Sequence, residues 1–284
     1  MNKKFFSIVA ITVLIIMTIT GIIYFVNAKK NEGSLKEKVE NELDIIGKEL
    51  INMANSLNNI SFNNYSLQVR KENTSKEENK DKEKSSDEKE SEKEEVKTSF
   101  SSEETGILNT DFNNIDWDYL KNHSEKLYNI WTTSIIDLNS LNVNSEDILN
   151  FSNVLDLTTL SSKNEDKNAL LNNIASLYSY IPNFLTQIES DNKKVQIVNT
   201  INSVLNSYVF INQNNWNDAK SNTESAINSY MQIINNVDEN SKYSKNKITR
   251  IYVLLNELNN SVTLNDKEIY FIKYRNVIEE LINL

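Results

Sequence analysis

Three textures of apolar and polar positions follow one another along the chain. The first is unbroken: FFSIVAITVLIIMTITGIIYFV, Phe5 to Val26, runs for 22 residues without a charge. As a helix rising about 1.5 Å per residue it is roughly 33 Å long, enough to cross a bilayer core. The second texture is periodic. Leu35, Val39, Leu43, Ile46, Leu50, Met53, Leu57 and Ile60 recur at spacings of four and three, the stripe of an amphipathic helix. The third has almost nothing to bury: KENTSKEENKDKEKSSDEKESEKEEVK, Lys71 to Lys97, holds eight Lys, eleven acidic residues and a single Val. Such a stretch cannot offset an ordering cost of roughly 1–2 kcal/mol per residue, so a disordered linker is expected. As a flexible coil it spans roughly 30 Å, and it reads as a tether that lets the rest of the chain lift off the membrane.

Helical periodicity then returns and continues to the end. DWDYLKNHSEKLYNIWTTSIIDLNSL predicts a helix capped by Asp116, with Trp117, Leu120, Leu127, Trp131, Ile135 and Leu138 on one face. NVNSEDILNFSNVLDLTTL predicts a second, with Asn144 or Ser145 as cap and Glu146 and Asp147 in the first turn, where the helix dipole favours negative charge. EDKNALLNNIASLYSYIPNFLTQI is a third, which Pro182 bends or ends halfway. Four more segments follow, starting near Lys193, Trp216, Lys245 and Asp266. Short polar connections favour antiparallel neighbours. The expected fold class is all-α: an N-terminal transmembrane helix (1–28), a membrane-proximal amphipathic stalk helix (29–69), a disordered charged linker (70–110), and a C-terminal multi-helix bundle or short helical-hairpin array (111–284). The stalk stripe either packs back on the module or forms a coiled coil, giving a homodimer through residues 35–60.

Composition sharpens this picture. Of the 284 residues four are Gly and one is Pro, and no Gly follows Gly106. Few positions in the module are therefore expected to take positive φ, which disfavours hairpin turns and glycine-lined phosphate cradles. Asn accounts for 47 residues, a usage that reflects AT-rich coding rather than binding chemistry. The absence of Cys removes disulfides, thiolate metal sites and Cys nucleophiles, together with lipoprotein anchoring.

Lys3 and Lys4 precede the apolar run, and Lys29, Lys30, Lys36 and Lys38 follow it. A bare count favours a cytoplasmic module, yet a short basic tail before an apolar run is the shape of an export signal, and long domains translocate largely regardless of charge. The preferred topology is N-in, C-out, single-pass. Cleavage after Ala28 is the alternative to a retained anchor, and the length of the apolar run favours retention.

Two resemblances bear on the module. NNWNDAKSNTESAINSY, Asn214 to Tyr230, resembles the aromatic-turn-Ala spacing of tetratricopeptide-like helix hairpins, through Trp216, Ala219, Ala226 and Tyr230. The Gly of that family is missing and no 34-residue period recurs, so one hairpin with small residues at a close crossing is expected. NVNSEDILNFSNVLD, ASLYSYIPNFL and NNWNDAK resemble stretches of uncharacterised membrane-anchored helical proteins of low-GC Gram-positive bacteria. That resemblance implies a location and an all-helical fold, and no activity.

The candidates for chemistry are few. His123 is the only histidine; it lies about 240° around its helix from Trp117 and reads as a solvated residue. The acidic pairs Glu146/Asp147, Glu165/Asp166, Asp238/Glu239 and Glu279/Glu280 fit helix starts, loops and solubility better than a glycosidase's carboxylates. No calcium-loop spacing occurs. The one local excess of positive charge combines Lys242, Lys245, Lys247, Arg250, Lys273 and Arg275 with Tyr270 and Tyr274. It suggests a face for anionic envelope polymers or lipid headgroups. With 21 acidic residues against 14 basic ones from residue 111 onward, nucleic acid is not an expected partner. No cofactor and no enzyme activity are expected. The expected function is a membrane-anchored extracytoplasmic interaction module for a protein or envelope component. A sensor-like ligand-binding domain is the alternative, and an envelope hydrolase a remote one.

Overall fold

The structure, a computed structural model, describes residues 32–61, 106–236 and 245–284. All regular structure among them is helical. α1 covers residues 32–56. After a 3-10 turn at Ile107–Asn109 come α2 (Trp117–Ser140), α3 (Ser145–Lys163), α4 (Lys167–Gln187), α5 (Asn192–Asn212), α6 (Trp216–Asn235), α7 (Lys245–Val262) and α8 (Lys267–Ile282). The seven helices expected after residue 111 are all present, and Pro182 sits inside a single α4 rather than ending it. Among the described residues no helix is long and apolar enough to cross a membrane. The Phe5–Val26 anchor, the Lys71–Lys97 stretch, Lys242 and the Asp238/Glu239 pair lie outside them.

Local chemistry explains where these helices start and stop. Asp116, Asn144, Asp166, Asp191, Asn215 and Asp266 are N-caps, each accepting a first-turn backbone N–H; each cap contributes about 1 kcal/mol. The C-terminal ends depart from expectation. Asn59, Asn142, Glu165, Glu189, Asn214 and Asn265 all take positive φ, between 51° and 60°. After α2, Val143 N–H donates to Leu138 O at 3.1 Å and Asn142 N–H to Asn139 O at 3.0 Å. This bond pair closes a helix through a left-handed residue, and the same pair recurs at Glu165, Glu189 and Asn214. The left-handed region is open to Asn as well as Gly, because its short amide tolerates it. Much of the work expected of glycine is thus done by asparagine here.

Helices α2 to α8 run as successive antiparallel neighbours. Tyr128 and Trp131 of α2 reach Asp156 and Ser152 of α3, and Asp147 and Ser161 of α3 reach Gln187 and Asn173 of α4. The expected close crossing is there: Ala219, Thr223 and Ala226 of α6 are buried, and the buried Ser207 hydroxyl of α5 donates across the contact to Ala219 O at 3.0 Å.

Of the two readings of the α1 stripe, packing back on the module is the one found. Val39, Leu43, Ile46, Leu50, Met53 and Leu57 are each 0% exposed, with Ile51 and Ala54 also buried, inside one core that includes residues of every helix. α2 holds α1 through Asp137 to Lys38 and through His123 and Lys126 to Glu49. α4 lies against Gly47 through Tyr178 and Ile181, α5 bonds Asn58 through Tyr208, and α8 bonds Asn55 through Tyr274. The stripe is therefore filled by its own chain, and residues 35–60 offer no free apolar seam to a second copy. A stalk separate from the module does not exist. The charged stretch also loses its place as a leash, because the chain enters the body at α1 before reaching it. That stretch joins two elements of one body, α1 and α2.

Candidate functional site

The basic face does not assemble. Tyr270 and Tyr274 are 0% exposed and Arg275 is buried. Tyr270, Tyr274 and, one residue on, Arg275 fall on the inward side of α8. Lys273 pairs with Glu257 at 2.6 Å and Arg250 with Glu280 at 3.0 Å, so these two cations are matched. Lys247 donates to Asn283 O, and Lys245 is exposed at the start of α7. Glu146/Asp147 and Glu165/Asp166 lie at helix starts, and Glu279/Glu280 are half-buried in the last turns of α8. Asp166 caps α4, Asp147 accepts from Asn183 and Gln187, and Glu165 pairs with Lys121.

The two tyrosines belong to a buried polar cluster where α1, α5 and α8 meet. Tyr208 and Tyr274 stack at 4.3 Å. Tyr208 Oη donates to Ala54 O at 3.0 Å, Tyr274 Oη to Asn55 Oδ1 at 3.0 Å, and Tyr270 Oη to Ser207 Oγ at 2.8 Å. Asn58 is fully used: its amide N–H groups donate to Tyr208 Oη and, at 2.9 Å, to Asn212 Oδ1, while its oxygen accepts from Lys167 Nζ at 2.7 Å. Burial pushes all three phenols up, so they stay protonated donors. Lys167 is pushed down by burial and by the neighbouring Lys267, which is itself pushed down by burial. Apart from Asn55 Nδ2, which is buried and meets no acceptor among the described residues, the polar atoms named here are paired, and the cluster fixes α1 against α5 and α8.

His123 is not the solvated residue its helix position suggests. Its ring packs against Tyr119, centroids 3.8 Å apart and tilted by 33°, and Nδ1 contacts Oε1 of Glu49, which is buried; Lys126 donates to Glu49 Oε2 at 3.1 Å. The pair clamps α1 to α2. Among the described residues no group of three or more His, Asp or Glu is placed to hold a metal ion.

The feature that sequence reasoning missed is α3, whose polarity is inverted along its second half. Thr158 and Ser162 are 0% exposed and Ser161 is buried, whereas Leu149, Leu157 and Leu160 are 60%, 51% and 49% exposed. At 100° per residue the three leucines fall within about 80° of one another, along roughly 16 Å of helix, with exposed Asn153 between them and exposed Asp156 at their edge. Bonds from Thr158 to Val154 O and from Ser161 to Leu157 O, both 2.8 Å, offset the burial of those two hydroxyls, whereas the buried Ser162 hydroxyl meets no partner among the described residues. The small inward residues let α3 sit close to its neighbours. They do not explain leucine on the outside. The inner face also carries Ile148, Phe151 and Leu155, so α3 is apolar on both sides; single exposed leucines are ordinary, whereas several on one helix face are a candidate contact surface.

No family profile matches this chain, and neither a curated protein nor a solved structure is significantly similar to it.

Proposed function

We propose that the protein is a membrane-anchored, extracytoplasmic helical module without enzymatic activity, which binds an apolar helical segment of a partner protein along α3. The observation that supports this most is the outward stripe of Leu149, Leu157 and Leu160 above buried Thr158, Ser161 and Ser162. An amphipathic partner helix laid along α3 would cover these leucines at helical spacing. Phe5–Val26 is the anchor in this reading. Only five residues separate it from α1, a reach of at most about 20 Å. The body is held at the membrane surface rather than floating away from it.

A photoreactive residue at Asn153, in whole cells, tests the reading. The expected result is one saturable crosslink to a partner peptide, absent with the same residue at Asn217 on α6. It should be lost when Leu149, Leu157 and Leu160 become Gln. Retention of the crosslink in the leucine variant would refute the face.

One observation favours the sensor-like reading as the second choice. α1 follows the apolar segment directly and runs through the core. A change in the body therefore has a short covalent route to the anchor, which the tether arrangement would have denied it.

A further inference from the structure

α1, α4 and α5, with the last turn of α8, enclose a cleft of about 550 Å³ that includes no residue of α3. Its volume lies within the roughly 300–1,000 Å³ range of small-molecule sites. Leu43, Ile51, Ile181, Leu185, Ile197 and Ile201 form its floor, and all are buried. Two features mark it as more than a packing gap. Tyr178 lines it and is 3% exposed, yet its hydroxyl meets no acceptor among the described residues, unlike those of the other buried tyrosines Tyr208, Tyr230, Tyr270 and Tyr274. Beside it stands Gly47, in the middle of α1, where glycine costs roughly 0.5–1 kcal/mol relative to alanine. A Cβ there would come within 3.3 Å of Tyr178 Cε2 and of Ile181 Cδ1, and within 3.7 Å of the Tyr178 hydroxyl. Glycine thus lets the Tyr178 ring and Ile181 lie directly against α1 at the wall of the cleft.

The charges at the mouth narrow the ligand. Asp44 pairs with Lys48 at 2.8 Å, Glu40 with Lys194 at 3.1 Å, and Asp191 is occupied in capping α5. Each charged side chain at the mouth is thus matched, and the main chain of Leu284 also borders the cleft. Burial and the Asp44 carboxylate both push the Tyr178 phenol up, so it is a donor at all physiological pH values. From the apolar floor, the paired rim and this unmatched phenol beside the floor we infer that the cleft binds a neutral single-chain amphiphile, its aliphatic chain on the floor and an ester or ether oxygen accepting from Tyr178. The site is independent of the α3 face.

The full chain in lipid nanodiscs, labelled with a diazirine- and alkyne-bearing monoacylglycerol and mapped by mass spectrometry, tests the site. Labelling should saturate, be displaced by unlabelled monoolein, and concentrate on residues 43–51 and 178–201. Val198→Trp, which fills the partly open side of the cleft, should lower it at least tenfold. Tyr178→Phe should weaken apparent affinity about three- to tenfold at the same peptides, the loss of one hydrogen bond. Changing the three α3 leucines to Gln should leave labelling intact. Labelling that fails to saturate or is indifferent to both Val198→Trp and monoolein overturns the site. Preferential labelling by the matching fatty acid overturns the neutral head group.

Discussion

Replacing Leu50 by Ala takes three carbons from the middle of α1, where the side chain is 0% exposed. Transfer alone contributes about 0.8 kcal/mol per carbon, or about 2.4 kcal/mol, and the residual cavity brings the expected loss to about 3–4 kcal/mol. Alanine's better helix propensity returns only a few tenths of this. The informative readout is fluorescence, because Trp117, Trp131 and Trp216 all lie in α2 and α6 and none lies in α1. In urea, with a slope of roughly 2–3 kcal/mol/M, the tryptophan-monitored midpoint should fall by about 1–2 M. Ile45→Ala on the outer side of the same helix, where Ile45 is 49% exposed, should move the midpoint by no more than about 0.5 kcal/mol equivalent. A Leu50→Ala chain whose tryptophan transition stays in place while helical circular dichroism is lost would show that α1 is not part of the body, and the packing argument would fail.

Other consequences follow from single contacts. Glu189 holds positive φ at the end of α4, so Glu189→Gly should stabilise by about 0.5–1 kcal/mol, and Glu189→Val should destabilise, in thermal melts. His123→Ala should cost about 1–3 kcal/mol by leaving buried Glu49 partly unmatched. Adding Glu49→Leu should recover much of that loss, a non-additivity that a double-mutant cycle measures. Glu40 and Glu279 should act oppositely with pH. Burial raises Glu40, but its bonds from Ser190 and Lys194 outweigh this and hold it low, so its stabilising contribution is present at neutral pH and fades as pH falls through its lowered folded value. Burial and Glu280 raise Glu279 against the opposing pull of Arg275 and Arg250, so its ionised form costs stability at neutral pH. Glu279→Gln should accordingly raise stability at pH 7, with the gain vanishing below about pH 4, whereas Glu40→Gln should lower it at pH 7.

The helices were legible because periodicity and caps are local properties. Asp116, Asn144 and Asp166 announce their helices before any packing is known. What a stripe packs against is not local. Val39 to Ile60 read clearly as one face, but the period cannot distinguish a partner chain from helices that begin more than fifty residues later. The charged stretch misled for the same reason, since its composition describes itself and not which side of it the body starts. His123 was misjudged because α2 is packed on two sides, so an angle measured from Trp117 does not identify the exposed face. Lys273 and Arg275 lie two residues apart on a helix, which sends one outward and the other inward. The α3 stripe escaped because α3 is apolar around much of its circumference, and only burial reveals that Thr158, Ser161 and Ser162 join Phe151 and Leu155 inside while Leu149, Leu157 and Leu160 stay outside.

The measurement that bears most directly on this account is a cut in the chain between α1 and α2. A specific protease site placed within Lys71–Lys97 of the full-length protein allows that cut after folding. The N-terminal piece carrying α1 should remain bound to the remainder through gel filtration in mild detergent, and the two should part only in denaturant. If the pieces separate at once while the tryptophan-bearing fragment keeps its cooperative unfolding transition, α1 is no part of the core.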